Sequence, residues 1–127
     1  MLDGFGLGAY CALIYWLSDQ PSLPMANLFP HQDKVQHFLA YLPLGLLAWR
    51  AFGHWIRSAL WRLGFGALFC LVYGISDEWH QSFVPGRTPD VADWLTDGLA
   101  TLSTLGFLYA RRAERHAALP SRPEALP

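Results

Sequence analysis

The chain has 127 residues, of which 53% are apolar, 15% aromatic and only 15% charged, with a formal net charge of -1. The length fits one domain, and the near-zero charge excludes a basic nucleic-acid surface. Charged residues fall below the roughly 25% usual in soluble domains, and the apolar residues gather in four blocks: residues 4–17, 35–52, 59–76 and 94–110.

A membrane helix needs about 20 mostly apolar residues. The second, third and fourth blocks fit that length, and the first reaches it only with Leu2, Asp3 and Ser18. No basic residue precedes the first block and no small-residue cleavage site follows it, so it reads as a span rather than a signal peptide. The competing reading, a soluble helical bundle, needs a polar face on each helix. The second and third blocks are apolar all round. Cys11 and Cys70 lie inside apolar runs and read as buried thiols.

The second block opens "HQDKVQHFLAYLPLG". Asp33, His37 and Tyr41 are spaced i, i+4, i+8, which puts them on one helix face at successive depths. Pro43 lacks the N–H that would reach the Leu39 carbonyl, so a kink is expected there. The third block ends "YGISDEWHQSF", which places Glu78 and Gln81 one turn apart, with Asp77 and His80 beside them. "VPGR" (residues 84–87) reads as a type II turn around Pro85–Gly86. It brings Arg87 beside the acids as their expected counter-ion. In the fourth block, Thr88 and Pro89 read as N-cap and first helical residue. Asp90 then falls in the first turn, where the helix dipole favours a carboxylate. Asp93 and Asp97 continue that face inward, with Asp97 expected to share a proton with Asp93 or to be held neutral. A carboxylate at that depth costs a few kcal/mol and marks a functional site by default. Trp79, Phe83 and Trp94 would form an interfacial aromatic belt.

Arginines sort to alternate loops. Arg50, Arg57 and Arg62 surround the second connection, and Arg111, Arg112 and Arg115 follow the fourth block. The positive-inside rule then puts both termini in the cytoplasm and both acidic connections outside. The expectation is an all-α polytopic protein with spans at about 2–18, 35–53, 59–77 and 91–110. Together these make one domain over residues 1–112, and a cytoplasmic, Pro-rich, disordered tail covers 113–127. Near the outer surface, Asp33, His37, Tyr41, Glu78, Gln81, Arg87, Asp90, Asp93 and Asp97 would share one polar pocket.

With those residues in view, the sequence resembles the VanZ family of bacterial membrane proteins from Ser18 to about Ala100. The resemblance is carried by "DKVQHFLAY" (Asp33, Lys34, His37, Tyr41), "DEWHQSFVPGR" (Glu78, Gln81, Phe83, Pro85, Arg87) and "DVADW" (Asp90, Asp93). Asp97 stands where the family pattern has Asn, and Ala100 where it has Gly, so a charge replaces an amide and a tight helix approach is relaxed. The resemblance implies a multi-pass inner-membrane protein, and the family's founding member is linked to low-level teicoplanin resistance.

Three functions compete. The first is binding or modulation of a cell-envelope molecule, such as a lipid-linked precursor or a glycopeptide, by the outward pocket. The second is an intramembrane enzyme acting on an envelope lipid or sugar, with Glu78 or Asp93 as general base and His37 as acid. The third is proton or ion translocation along the acid ladder, although the inner half of the bundle lacks matching acids. Membrane lipids are the expected surroundings. No cofactor is assigned. Nor is a metal, because Glu78 and His80 are not a helix-face pair and no Cys lies nearby. The sequence does not fix an oligomeric state.

Overall fold

A computed structural model describes residues 2–21 and 29–118. They form four helices: α1 (Leu2–Ser18), α2 (Gln32–Phe52), α3 (Ala59–Gln81) and α4 (Val91–Ala117). The described residues are otherwise turns and connections, so the fold is all-α. Polar contacts at the helix ends show an up-down-up-down arrangement. Asp3 at the start of α1 accepts from Arg50 and His54 at the end of α2, both at 2.8 Å. At the opposite end, Lys34 at the start of α2 donates to Asp90 and Asp93 at the start of α4.

Helix α2 is the centre of the bundle. It packs against all three others, most extensively against α4, whereas α1 and α4 do not meet. The close approach of α2 and α4 depends on Gly45, where a Cβ would lie 3.1 Å from the Thr101 carbonyl oxygen and 3.2 Å from Thr104 Cβ. Ala100 and Thr101 of α4 are fully buried, and Leu105 packs over Gly66 of α3. Pro43 does not interrupt α2. Carbonyls near it find partners on neighbouring helices: Tyr10 Oη donates to Ala40 at 2.8 Å and Thr104 Oγ1 to Leu42 at 3.2 Å.

The start of α4 differs from the sequence reading. Asp90, not Thr88, is the N-cap, and its carboxylate accepts from the Ala92 N–H at 2.8 Å. An Asp is at least as good a cap as a Thr, and residues 87–90 remain outside the helix. At its other end α4 runs past the apolar block to Ala117, through the helix formers "ARRAERHA". Arg115 and His116 fall in the last turn, where the dipole favours cations. Of the tail placed at 113–127, the first five residues are therefore helical, and residues 119–127 lie outside the described part.

Polar groups are buried at one end of an otherwise apolar interior, while large apolar side chains cover the outside of the bundle. Asp77, Glu78, Gln81, Asp93, Asp97 and Thr101 are buried. Phe5, Leu39, Trp61, Leu99 and Phe107, drawn from all four helices, are exposed at 59% or more. Among the described residues, α3 alone is long and apolar enough to cross a membrane, with 23 residues and a mean hydropathy of 1.5. The other three miss that test for physical reasons. Helix α1 has only 17 residues, and α2 and α4 carry charges within their length.

Candidate functional site

The buried polar groups collect where the start of α2, the end of α3 and the start of α4 converge, with the end of α1 alongside. The first group is the pair His37 and Asp97. The 3.6-residue period turns both toward the α2–α4 seam. His37 Nδ1 lies 3.0 Å from Asp97 Oδ1, and the two side chains are 11% and 1% exposed. With Asp97 ionised, Nδ1 donates and Nε2 is left to accept. Gly74 makes room on the α3 side: a Cβ there would stand 3.0 Å from Trp94 Cδ1 and 3.6 Å from Asp97 Oδ2.

A second group links α2, α3 and α1. Tyr41 Oη donates to Asp77 Oδ2 at 3.2 Å. Gln81 Nε2 reaches the same oxygen and Ser18 Oγ, each at 3.4 Å. A third group lies nearer the helix ends. Lys34 Nζ is shared by Asp33 at 3.3 Å, Asp90 at 2.8 Å and Asp93 at 2.9 Å. Glu78 connects the layers, accepting from the Asp90 N–H at 2.8 Å and so fixing the start of α4. The Lys34 ammonium beside Asp90 holds the Asp90 carboxyl below its ordinary range.

Of the nine residues expected in one pocket, seven belong to this convergence, while Asp33 stands at its rim and Arg87 lines the cavity beside it. His37, Tyr41, Glu78, Gln81, Asp90, Asp93 and Asp97 belong to the three connected groups. Asp33 is half exposed and touches only the rim through Lys34. Arg87 is not the counter-ion of an acid. Its guanidinium donates to the backbone carbonyls of Gln20 at 3.1 Å and Leu17 at 3.4 Å, and it fastens the end of α1. Both carbonyls lie at or just past the C-terminal end of α1, where the helix dipole favours a cation. The expected pairing of Asp93 with Asp97 is replaced by separate partners, Lys34 and His37. Trp94 is not a free belt residue, since its Nε1 donates to the Leu71 carbonyl at 3.1 Å. Trp79 and Phe83 are exposed and meet edge to face.

Three participants were missed: Lys34, Asp77 and Ser18. Asp77 had a signal, since it lies one turn before Gln81. Lys34 had one as well, because the expected pocket held five acids against one arginine.

A cavity of about 300 Å³ opens beside these groups between α1 and α2. Ile14, Leu17, Leu39 and Ala40 give it an apolar side, while His37, Tyr41, Asp77, Gln81 and Arg87 give it a polar side. Below Asp97 the interior turns apolar, with Leu44, Ala48, Ala100 and Leu105 fully buried. The polar column therefore ends at Thr101, whose hydroxyl is taken by the Asp97 carbonyl at 2.9 Å. Among the described residues, His37, Glu78 and Asp97 also stand close enough to share a cation, with ligand atoms within 4.8 Å of one another.

No curated protein matches the chain, and no solved structure does. The family model described as VanZ/LLP1 matches residues 8–112. That match covers α2 and α3 whole, most of α1 and α4, and each of the residues that build the buried polar groups, and on it the chain is a member of the VanZ/LLP1 family.

Proposed function

We propose that this protein is a multi-pass protein of the bacterial inner membrane that binds a lipid-linked envelope molecule by its head group. The cavity between α1 and α2 carries the reading. It joins lipid-facing apolar residues such as Leu39 to the buried His37, Tyr41 and Asp77. A ligand that fits both sides has an apolar chain and a polar head. Exposed apolar side chains on all four helices support a bundle that crosses the membrane with each helix. Buried charges then face the bundle interior, as lipid requires. Six arginines at one end and most of the acids at the other support cytoplasmic termini and an outward-facing site.

The test is photolabelling in vesicles with a photoreactive polyprenyl-phosphate lipid. Label concentrated on α1 and α2 peptides, and reduced in His37→Gln, is the expected result. Label spread evenly over the exposed apolar surface would sink the reading. Teicoplanin as competitor distinguishes a glycopeptide ligand, and a change in teicoplanin susceptibility on deleting the gene tests a link to resistance.

One observation favours a second reading, an enzyme acting on the same head group. A buried carboxylate oriented on an imidazole, 3.0 Å away, is an arrangement that readies a general base. In that case Asp97→Asn retains lipid labelling while abolishing conversion of the lipid, followed by chromatography.

A further inference from the structure

We infer that His37 of α2, Glu78 of α3 and Asp97 of α4 bind a divalent transition cation, zinc or manganese. The three residues lie far apart in sequence, and each offers one ligand atom within 4.8 Å of the others. Proximity of acids alone would not make a site. The second observation is what their oxygens lack. Asp97 Oδ2 and Glu78 Oε1 are buried and have no hydrogen-bond partner among the described residues, in side chains whose residues are 1% and 8% exposed. A buried carboxylate oxygen left alone is costly, and a bound cation removes the cost.

The protein's own cations are committed elsewhere. Lys34 is held by Asp33, Asp90 and Asp93, and Arg87 is turned to the backbone of α1. The donor set is one imidazole and two carboxylates. Carboxylates alone suit calcium, magnesium or manganese, whereas an added imidazole turns the set towards zinc or iron; the mixed set therefore suits zinc, with manganese taken through its two carboxylates. Three protein ligands leave a coordination position open, the pattern of catalytic rather than purely structural zinc. The supporting contacts are also present. Glu78 Oε2 is fixed by the Asp90 N–H at 2.8 Å, which leaves Oε1 to the cation. Gly74 keeps the space beside Asp97 Oδ2 clear of a side chain.

This inference stands apart from lipid binding, since a chain that takes up metal but no lipid, or lipid but no metal, separates the two. It opposes the acid–base reading, because a cation makes His37 and Asp97 ligands instead of a proton-transfer pair.

The experiment uses the full chain in detergent, with no polyhistidine tag, stripped by a chelator and then equilibrated with zinc or manganese. The expected result is one equivalent of metal per chain and a rise in Tm on metal addition. Glu78→Gln and Asp97→Asn should bind about tenfold more weakly or worse. His54→Gln, whose histidine contacts Asp3 at the opposite end of the bundle, should bind as the wild type does. Cobalt loading of the wild type supplies a readout that no variant's folding can confuse, since nitrogen and oxygen ligation gives visible absorption bands. Wild-type chain with native helical content that retains no stoichiometric metal and shows no cobalt bands overturns the inference. Undiminished binding in Asp97→Asn does so as well.

Discussion

Arg87 shows how one side chain can stabilise a helix to which it does not belong. Its guanidinium satisfies two carbonyls at the end of α1, and hydrogen bonds from a charged donor contribute about 1.5–3 kcal/mol. Arg87→Ala should therefore lower stability by about 2 kcal/mol in thermal unfolding. Arg57→Ala, an exposed position in the opposite connection, should leave Tm unchanged. Equal Tm for the two variants would contradict this role. Asp90 gives a pH dependence. Its carboxyl is held below the ordinary value of 3.8 mainly by Lys34. A depressed folded-state pKa contributes stability that is complete above the ordinary value and is lost as pH falls through the folded one. Asp90→Asn keeps a good N-cap but loses the ion pair. The wild type should be the more stable of the two at neutral pH, and the difference should close below about pH 4. A gap that persists in acid would show that the pair contributes nothing.

Within one helix the chemistry is legible from the sequence, because the period fixes which side chains share a face. The Asp33–His37–Tyr41 stripe and the descent from Asp93 to Asp97 are of this kind. The type II turn is too: Gly86 has φ 83° and the Arg87 N–H closes the turn on Val84 at 3.1 Å. Pairing between helices is not legible, because it depends on relative rotation and height that no spacing encodes. Thus His37 meets Asp97 rather than Asp93, and the nearest arginine in the chain is not the nearest cation in space. The α2–α4 seam that creates the first of those pairs rests on Gly45. Gly45→Ala would press on the Thr101 backbone, which cannot move aside as a flexible side chain would. It should cost about 1–3 kcal/mol and weaken photolabelling with it. Gly106→Ala, where a Cβ meets nothing within 4 Å, should raise stability by no more than about 1 kcal/mol. If both substitutions behave alike, the seam is not what sets the spacing.

At the scale of the whole molecule, charge divides the bundle into two ends. Arg62 belongs to the fold as well as to this asymmetry: it is buried, donates to the Ile56 carbonyl at 2.8 Å and stacks on Trp49. Arg57, Arg111 and Arg115 are exposed at the same end, and on the proposed reading they orient the chain. A periplasm-active reporter fused at Pro85 should be active and one at Ser121 silent, and the reverse pattern would invert the topology. The attachment of α1 has a further consequence. It does not meet α4, and beside the core packing of Leu7 and Ile14 it is held by polar ties: Asp3 to Arg50 and His54, Tyr10 to Ala40, Tyr73 to the Cys11 carbonyl at 2.6 Å, Ser18 to Gln81, and the guanidinium of Arg87. An element attached in this way opens as its own cooperative unit, below the free energy of global unfolding. In native-state hydrogen exchange the amides of α1 should be released before those of α2 and α4. Because α1 is one wall of the cavity, each such opening is also an opening of the door. With a lipid as the ligand, as proposed, stability and access become one variable, and a substitution that clamps α1 should slow the lipid's arrival while raising Tm.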